Sequence, residues 1–124
     1  MTHLLAIALG GALGSLARFL TSQGMHAWLG KAFPYGTLTV NVVGSLAFGV
    51  LFVLLLERWT VNADVRAFLM VGFLGAFTTF STFSMETLHL LLNGEAFKAG
   101  LNMVLNVSLC VFAAWGGVML ARQW

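Results

Sequence analysis

The chain has 124 residues, 60% of them hydrophobic and only 8% charged, with a formal net charge of +2. A soluble domain carries about 25% charged residues, so the composition excludes a water-soluble globular domain and points to an all-α integral membrane protein. Six basic residues spread over several segments make no nucleic-acid patch. The single Cys110 has no partner for an intrachain disulfide or a metal site, and the histidines at 3, 26 and 89 are scattered, interfacial positions.

A helix that crosses a bilayer needs roughly 20 mainly apolar residues. Four such helices consume nearly the whole chain, giving one four-helix transmembrane domain over residues 1–124. The spans are expected at about 3–28, 36–57, 64–92 and 96–120. The first segment lacks the basic start and the cleavage site of a signal peptide. Its Gly10 and Gly14 form a GxxxG pair that permits close backbone approach to another helix. Arg18 follows one turn later. It either snorkels to the interface or sits embedded, and its guanidinium is expected to bond carbonyls or another helix.

Pro34-Tyr35-Gly36 stops one element and starts the next. The second helix opens with Gly36-Thr-Leu-Thr-Val-Asn41-Val-Val-Gly44-Ser45, which is polar for a membrane segment. Thr37, Asn41 and Ser45 recur at four-residue spacing and share a face. They serve either as interhelical hydrogen bonds or as a polar track along a conduit. Ser45 and Gly49 repeat the small-xxx-small pattern, and such small-residue faces are candidates for contact between copies of the chain.

Asn62 or Asp64 can cap the third helix. That helix is too long for one straight span and contains Gly72-Phe-Leu-Gly75-Ala-Phe-Thr78-Thr-Phe80-Ser-Thr-Phe83-Ser-Met-Glu86. Glycines followed by five hydroxyls and interleaved phenylalanines suit a helix broken in mid-membrane, near Gly75 to Thr79, where protein or a water-filled path covers the open backbone. Helix–helix packing also accounts for such small and hydroxylated residues. After the Asn93-Gly94 turn, the fourth helix carries Asn102 and Asn106 four apart on one face, with Cys110 continuing it.

Arg58, Arg66 and Arg122 fall on one side of such a bundle and Lys31 and Lys98 on the other, with Arg18 embedded. Membrane orientation normally follows a clear excess of Lys and Arg on the cytoplasmic side. Its near absence predicts insertion in both orientations and an antiparallel dimer. A chain this small also leaves little room for a pore of its own, so a path is expected between copies.

No acid pair, nucleophile beside a histidine, metal spacing or phosphate loop is present, so enzyme chemistry is not expected. Asn41, the hydroxyls of residues 78–84 and the phenylalanines all present positive partial charge: amide and hydroxyl hydrogens are donors, and a phenyl edge is positive. Phe80 and Phe83, three apart, can form a ladder of ring edges, although their spacing also fits ordinary packing. A path of donors and ring edges, with Glu86 the only embedded acid, suits a small, strongly hydrated anion.

Gly36-Thr-Leu-Thr-Val-Asn41 and, above all, the Gly72–Ser84 stretch resemble the fluoride ion channel family (Fluc, also called CrcB), with the Gly-Gly-x-x-Gly…Arg18 pattern in support. The resemblance covers the whole chain in length and helix count. It implies passive, selective export of fluoride across a bacterial inner membrane by a dual-topology homodimer with two antiparallel pores. Under it, Phe80, Phe83 and Asn41 line a pore. Ser81, Thr82, Thr37 and Glu86 follow as pore or vestibule residues, Asn106 is the fourth-helix contribution, and Arg18 is structural. It further implies a structural sodium ion on the dimer axis, held by the backbone carbonyls of Gly75 and Thr78. The implied partners are fluoride, a second copy of the chain and the lipid bilayer. Two other functions remain compatible with four short helices: a proton-coupled small multidrug-type transporter, which needs a deep carboxylate, and a non-transporting membrane scaffold.

Overall fold

The computed structural model describes residues 2–123 and is all-helical among them. The elements are α1 (Thr2–Leu29), α2 (Tyr35–Arg58), α3 (residues 63–77), α4 (Ser81–Leu92) and α5 (Ala96–Arg122). Together α3 and α4 form the span Ala63–Leu92, and the four spans are each long and apolar enough to cross a membrane. Large apolar side chains cover the outside. Leu4, Leu5, Leu9, Leu13, Leu16 and Leu20 on α1 are all exposed, as are Val104, Val107, Val111, Phe112 and Trp115 on α5. Such a surface is stable in hydrocarbon, where apolar contact with lipid replaces contact with water.

Between helices the packing is backbone against backbone. Gly10 and Gly14 are buried on α1. A Cβ on Gly14 would collide with the carbonyl oxygen of Phe73, and one on Gly10 with that of Phe68. From the other side, a Cβ on Gly72 would come within 2.7 Å of the Ile7 carbonyl. The α2–α5 contact repeats the device, with Gly49 against Ala114 and Gly117 against Leu46. In hydrocarbon, helices gain little from hiding apolar surface and depend on this close approach. The small-residue faces expected to meet a second copy are therefore spent inside the chain at Gly10, Gly14 and Gly49. Sequence spacing identifies such faces but not which helix they meet.

The connections use local chemistry. The Asn62 side chain accepts from the Asp64 N–H at 2.6 Å and caps α3. At the other end of the span, Gly94 adopts φ 77°. Its N–H reaches Leu91 O at 3.1 Å and that of Glu95 reaches Leu90 O at 2.8 Å, a Schellman closure that ends α4. The distal ends of α2 and α5 are joined by Arg122, which donates to both carboxylate oxygens of Glu57 at 3.2 and 2.9 Å. Parts of α2 and α3, Phe52–Arg58 and Ala67–Leu74, are wound in wider π-helical turns.

Gly14→Ala is expected to lower the thermal unfolding temperature of the purified protein in detergent, because backbone cannot yield as a side chain can; the cost of such overpacking is about 1–3 kcal/mol or more. Gly24→Ala, at a position with nothing within 4 Å of the new methyl, is the control and should leave stability unchanged. Equal effects of the two substitutions would remove the close-packing argument.

Candidate functional site

The third span is interrupted at residues 78–80. Gly75 remains helical, with φ −59° and ψ −37°, and the chain turns extended only at Thr78, with φ −86° and ψ 157°. The break thus follows Phe77. The Thr78 hydroxyl and N–H both donate to Leu74 O, at 3.0 and 3.1 Å, closing the last turn of α3. Beyond it the backbone is held from other helices. Arg18 Nε donates to Ala76 O at 3.0 Å, placing a cation at the negative end of α3. Arg18, half-buried, thus bonds a carbonyl of another helix. The Asn41 side chain pairs with the whole Thr79 peptide: its Nδ2 donates to Thr79 O at 3.1 Å, and its Oδ1 accepts from the Thr79 N–H at 2.8 Å.

Two further carbonyls lose their helical donors here. The Thr79 N–H, which a continuing helix would offer to Gly75 O, goes to Asn41. The Thr82 N–H, which would go to Thr78 O, reaches the Thr79 hydroxyl at 3.3 Å instead. Gly75 itself is on the exposed side of the subunit.

From Asn41 a line of hydrogen bonds runs through the bundle. Asn41 gives its second amide hydrogen to Asn106 Oδ1 at 3.0 Å. Asn106 Nδ2 donates to Asn102 Oδ1 and to Asn102 O, both at 2.9 Å. Asn102, whose side chain is fully buried, donates to the Thr87 hydroxyl at 2.9 Å, and Thr87 donates to Phe83 O at 2.8 Å. Both hydrogens of Asn41 and both of Asn106 are engaged. Thr87 was not singled out from the sequence; its position four residues after Phe83 was the available signal.

Beside this line lies a groove of about 690 Å³ between α2, α5 and the break. Asn41, Phe80, Phe83 and Asn106 line it together, as do Ser45, Thr78, Thr79 and Cys110. Among its lining residues none is Asp, Glu, Lys, Arg or His. The two rings touch, with centroids 5.5 Å apart and planes at 58°. They are not equivalent: Phe83 is 8% exposed and Phe80 77%. Ser81, Thr82 and Glu86 lie elsewhere, in a second cavity of about 560 Å³ that includes His26, Lys31 and His89. Glu86 lies near Thr37, which is buried on α2, and its Oε1 is shielded with no hydrogen-bond partner. The structure therefore divides the expected site residues between the groove, this second cavity and the exposed face at Gly75.

Residues 5–118 match the family model described as "CrcB-like protein, Camphor Resistance (CrcB)". The chain belongs to the CrcB family. Its relatives include proteins named "Fluoride-specific ion channel FluC" from several bacteria. That of Geobacter sulfurreducens is 49% identical over 123 residues, covering 99% of each chain. That of Hydrogenovibrio crunogenus is 47% identical, covering 98% of this chain and 92% of the relative. A third, from Methylococcus capsulatus, is 55% identical over 97% of this chain, which spans about half, 53%, of that relative's length.

In this CrcB-family chain the break is tied to α2 through one side chain, and that tie is open to test. Asn41→Ala leaves the Thr79 N–H and C=O and Asn106 Oδ1 without a partner, each costing about 1–3 kcal/mol where buried. Hydrogen–deuterium exchange of residues 78–82 should accelerate by about tenfold or more, with α1 exchange unchanged. Unaltered exchange at the break would mean that the Asn41–Thr79 pairing does not hold it.

Proposed function

We propose that the chain is a passive, selective fluoride channel of the bacterial inner membrane, not an enzyme, working as an antiparallel homodimer with two pores. The carrying observation is the uncharged groove in which Asn41, Asn106, hydroxyls and the two phenyl rings converge on the break; the names of the relatives supply the ion. A proton-coupled multidrug transporter needs a carboxylate in its chamber, and the groove has none among its lining residues.

Fluoride gives up hydration on entering such a groove, so donors must replace water. Thr79 and Ser45, which line the groove, carry hydroxyl donors, and ring-edge hydrogens of Phe80 and Phe83 add positive edges. Asn41 takes part by exchange: the arriving anion replaces Asn106 Oδ1 as acceptor of its second hydrogen, while the first stays on Thr79 O. Ser81, Thr82, Thr37 and Glu86 belong to the approach. Phe80, exposed in a single chain, is completed by the second copy.

The residues at the break fit the sodium ion implied for this family. The Gly75 and Thr78 carbonyls are those whose helical donors are diverted, and Gly75 lies on the exposed side, where a second copy can add an equal pair. Oxygen donors of this kind suit a hard cation. Bound there, sodium would supply a fixed positive charge between the two copies without being transported.

Proteoliposomes containing only this protein should release fluoride rapidly and retain chloride when a potassium ionophore carries the counter-current. Phe80→Ile or Phe83→Ile should slow fluoride release by about tenfold, the equivalent of one ring-edge interaction. No fluoride release from folded, dimeric protein would return the chain to the scaffold reading. Reporters fused to the C-terminus should score on both sides of the membrane; a single orientation would sink the antiparallel pairing.

A further inference from the structure

We propose that Thr87 and Asn102 are positioning residues for the ion path: they fix which way the Asn106 amide faces, and so how tightly an ion is held at Asn41. Asn102 is 0% exposed and Thr87 7%. Neither is among the residues lining the groove, whereas Asn41 and Asn106 both are. Whatever the buried pair does to an ion is done through Asn106.

The line of hydrogen bonds has one direction, and main-chain groups set it. A carbonyl can only accept, so the Thr87 hydroxyl gives its single hydrogen to Phe83 O at 2.8 Å. The Thr87 oxygen is left as an acceptor, and Asn102 turns its nitrogen to it at 2.9 Å. That points Asn102 Oδ1 at Asn106, beside the main-chain carbonyl of Asn102. Facing two acceptors, each at 2.9 Å, Asn106 presents its nitrogen to them and engages both hydrogens there. Its Oδ1 is thereby turned to Asn41, which donates to it at 3.0 Å. At the far end the Thr79 N–H, which can only donate, fixes the sense of Asn41 in turn. Asn106 thus has no hydrogen free for an anion. Its oxygen competes with the anion for the second hydrogen of Asn41 and takes that hydrogen back when the anion moves on. Without the Thr87 hydroxyl, Asn102 is free to turn over, and Asn106 with it. Asn106 then becomes a second donor beside Asn41, and an anion caught between two amides is retained.

The effect on an ion rests on the fluoride-channel reading; the fixed senses of the amides do not. Both are tested with the full chain. In proteoliposomes, the initial rate of fluoride release is read against the fluoride concentration inside. Thr87→Val should lower the maximal rate and the half-saturating concentration together, each by about tenfold, as one added hydrogen bond to the ion dictates. Thr87→Ser, which keeps the hydroxyl, should restore both. The double variant Thr87→Val/Asn102→Leu removes both partners and leaves no buried polar group of the pair unpaired; it should behave as Thr87→Val does and guards against a single variant that fails to fold. A mere tie between α4 and α5 would lower the unfolding temperature and leave the half-saturating concentration where it was, which overturns the positioning role. The senses are read without conduction from the side-chain amide resonances of protein labelled with nitrogen-15 asparagine in micelles. Thr87→Val should move those of Asn106 and Asn41, and Thr87→Ser should leave them. Resonances that move in protein releasing no fluoride would sustain the fixed senses and sink the channel. Resonances that stay in protein releasing fluoride would sustain the channel and sink the positioning.

Discussion

A peptide group exposed to hydrocarbon costs several kcal/mol, and the interrupted third span of this chain opens several at once. The pairing of Asn41 with Thr79 is the interaction that makes the interruption tolerable. A carboxamide has the donor and acceptor of a peptide, so it can stand in for a strand or helix neighbour where none exists. It binds both halves of the Thr79 peptide and has one hydrogen left, which continues into Asn106 and the line of bonds to Phe83. The same residue that closes the backbone thus connects it to a groove. Aspartate could accept but not donate, and leucine could do neither.

Asn41 reaches Thr79 because glycine brings the helices close. Gly44, three residues on and therefore on the same face, leaves room for the Thr78 methyl group, into which a Cβ would collide. On the opposite side Gly14 admits Phe73, and one turn later Arg18 reaches Ala76. Each polar clamp on the break lies within about one turn of a glycine that permits its approach. Stability and function share these contacts: the short interhelical distances that supply packing energy in lipid also set the reach of the side chains that hold the break open.

The four spans were legible because twenty-residue apolar segments have no other use in a chain this short, and the interruption was legible because glycines and hydroxyls stand where leucine would serve a plain span. Its position was legible to within one turn, near Gly75 to Thr79, but its first residue was not. Gly75 stays helical and Thr78 does not, because the Thr79 amide is drawn away by a residue from a different helix, and local propensity carries no trace of that. Spacing placed Phe80 and Phe83 on one face, but their unequal exposure follows from the packing of α4 on α5. The group that pairs with Arg18 is a backbone carbonyl, which every residue has, so its partner was invisible to sequence. Ser81, Thr82 and Glu86 follow from the family resemblance as pore or vestibule residues; in the fold they line a cavity separate from the groove of the phenylalanines.

The diverted amides also bear on the proposed pairing of two copies. A continuous helix would satisfy Gly75 O with the Thr79 N–H, and here that N–H belongs to Asn41. Gly75 lies on the exposed side of the subunit. Left against lipid, its carbonyl would bear the full cost of an unpaired peptide group; covered by a second copy and bridged by a cation, it would not. Phe80 poses the milder form of the same problem, a ring facing outward from a polar break. Under the proposed pairing, the energy that opens the helix for an anion is recovered at the contact between copies. Conduction and dimerisation are then two consequences of one decision, the commitment of the Thr79 amide to Asn41.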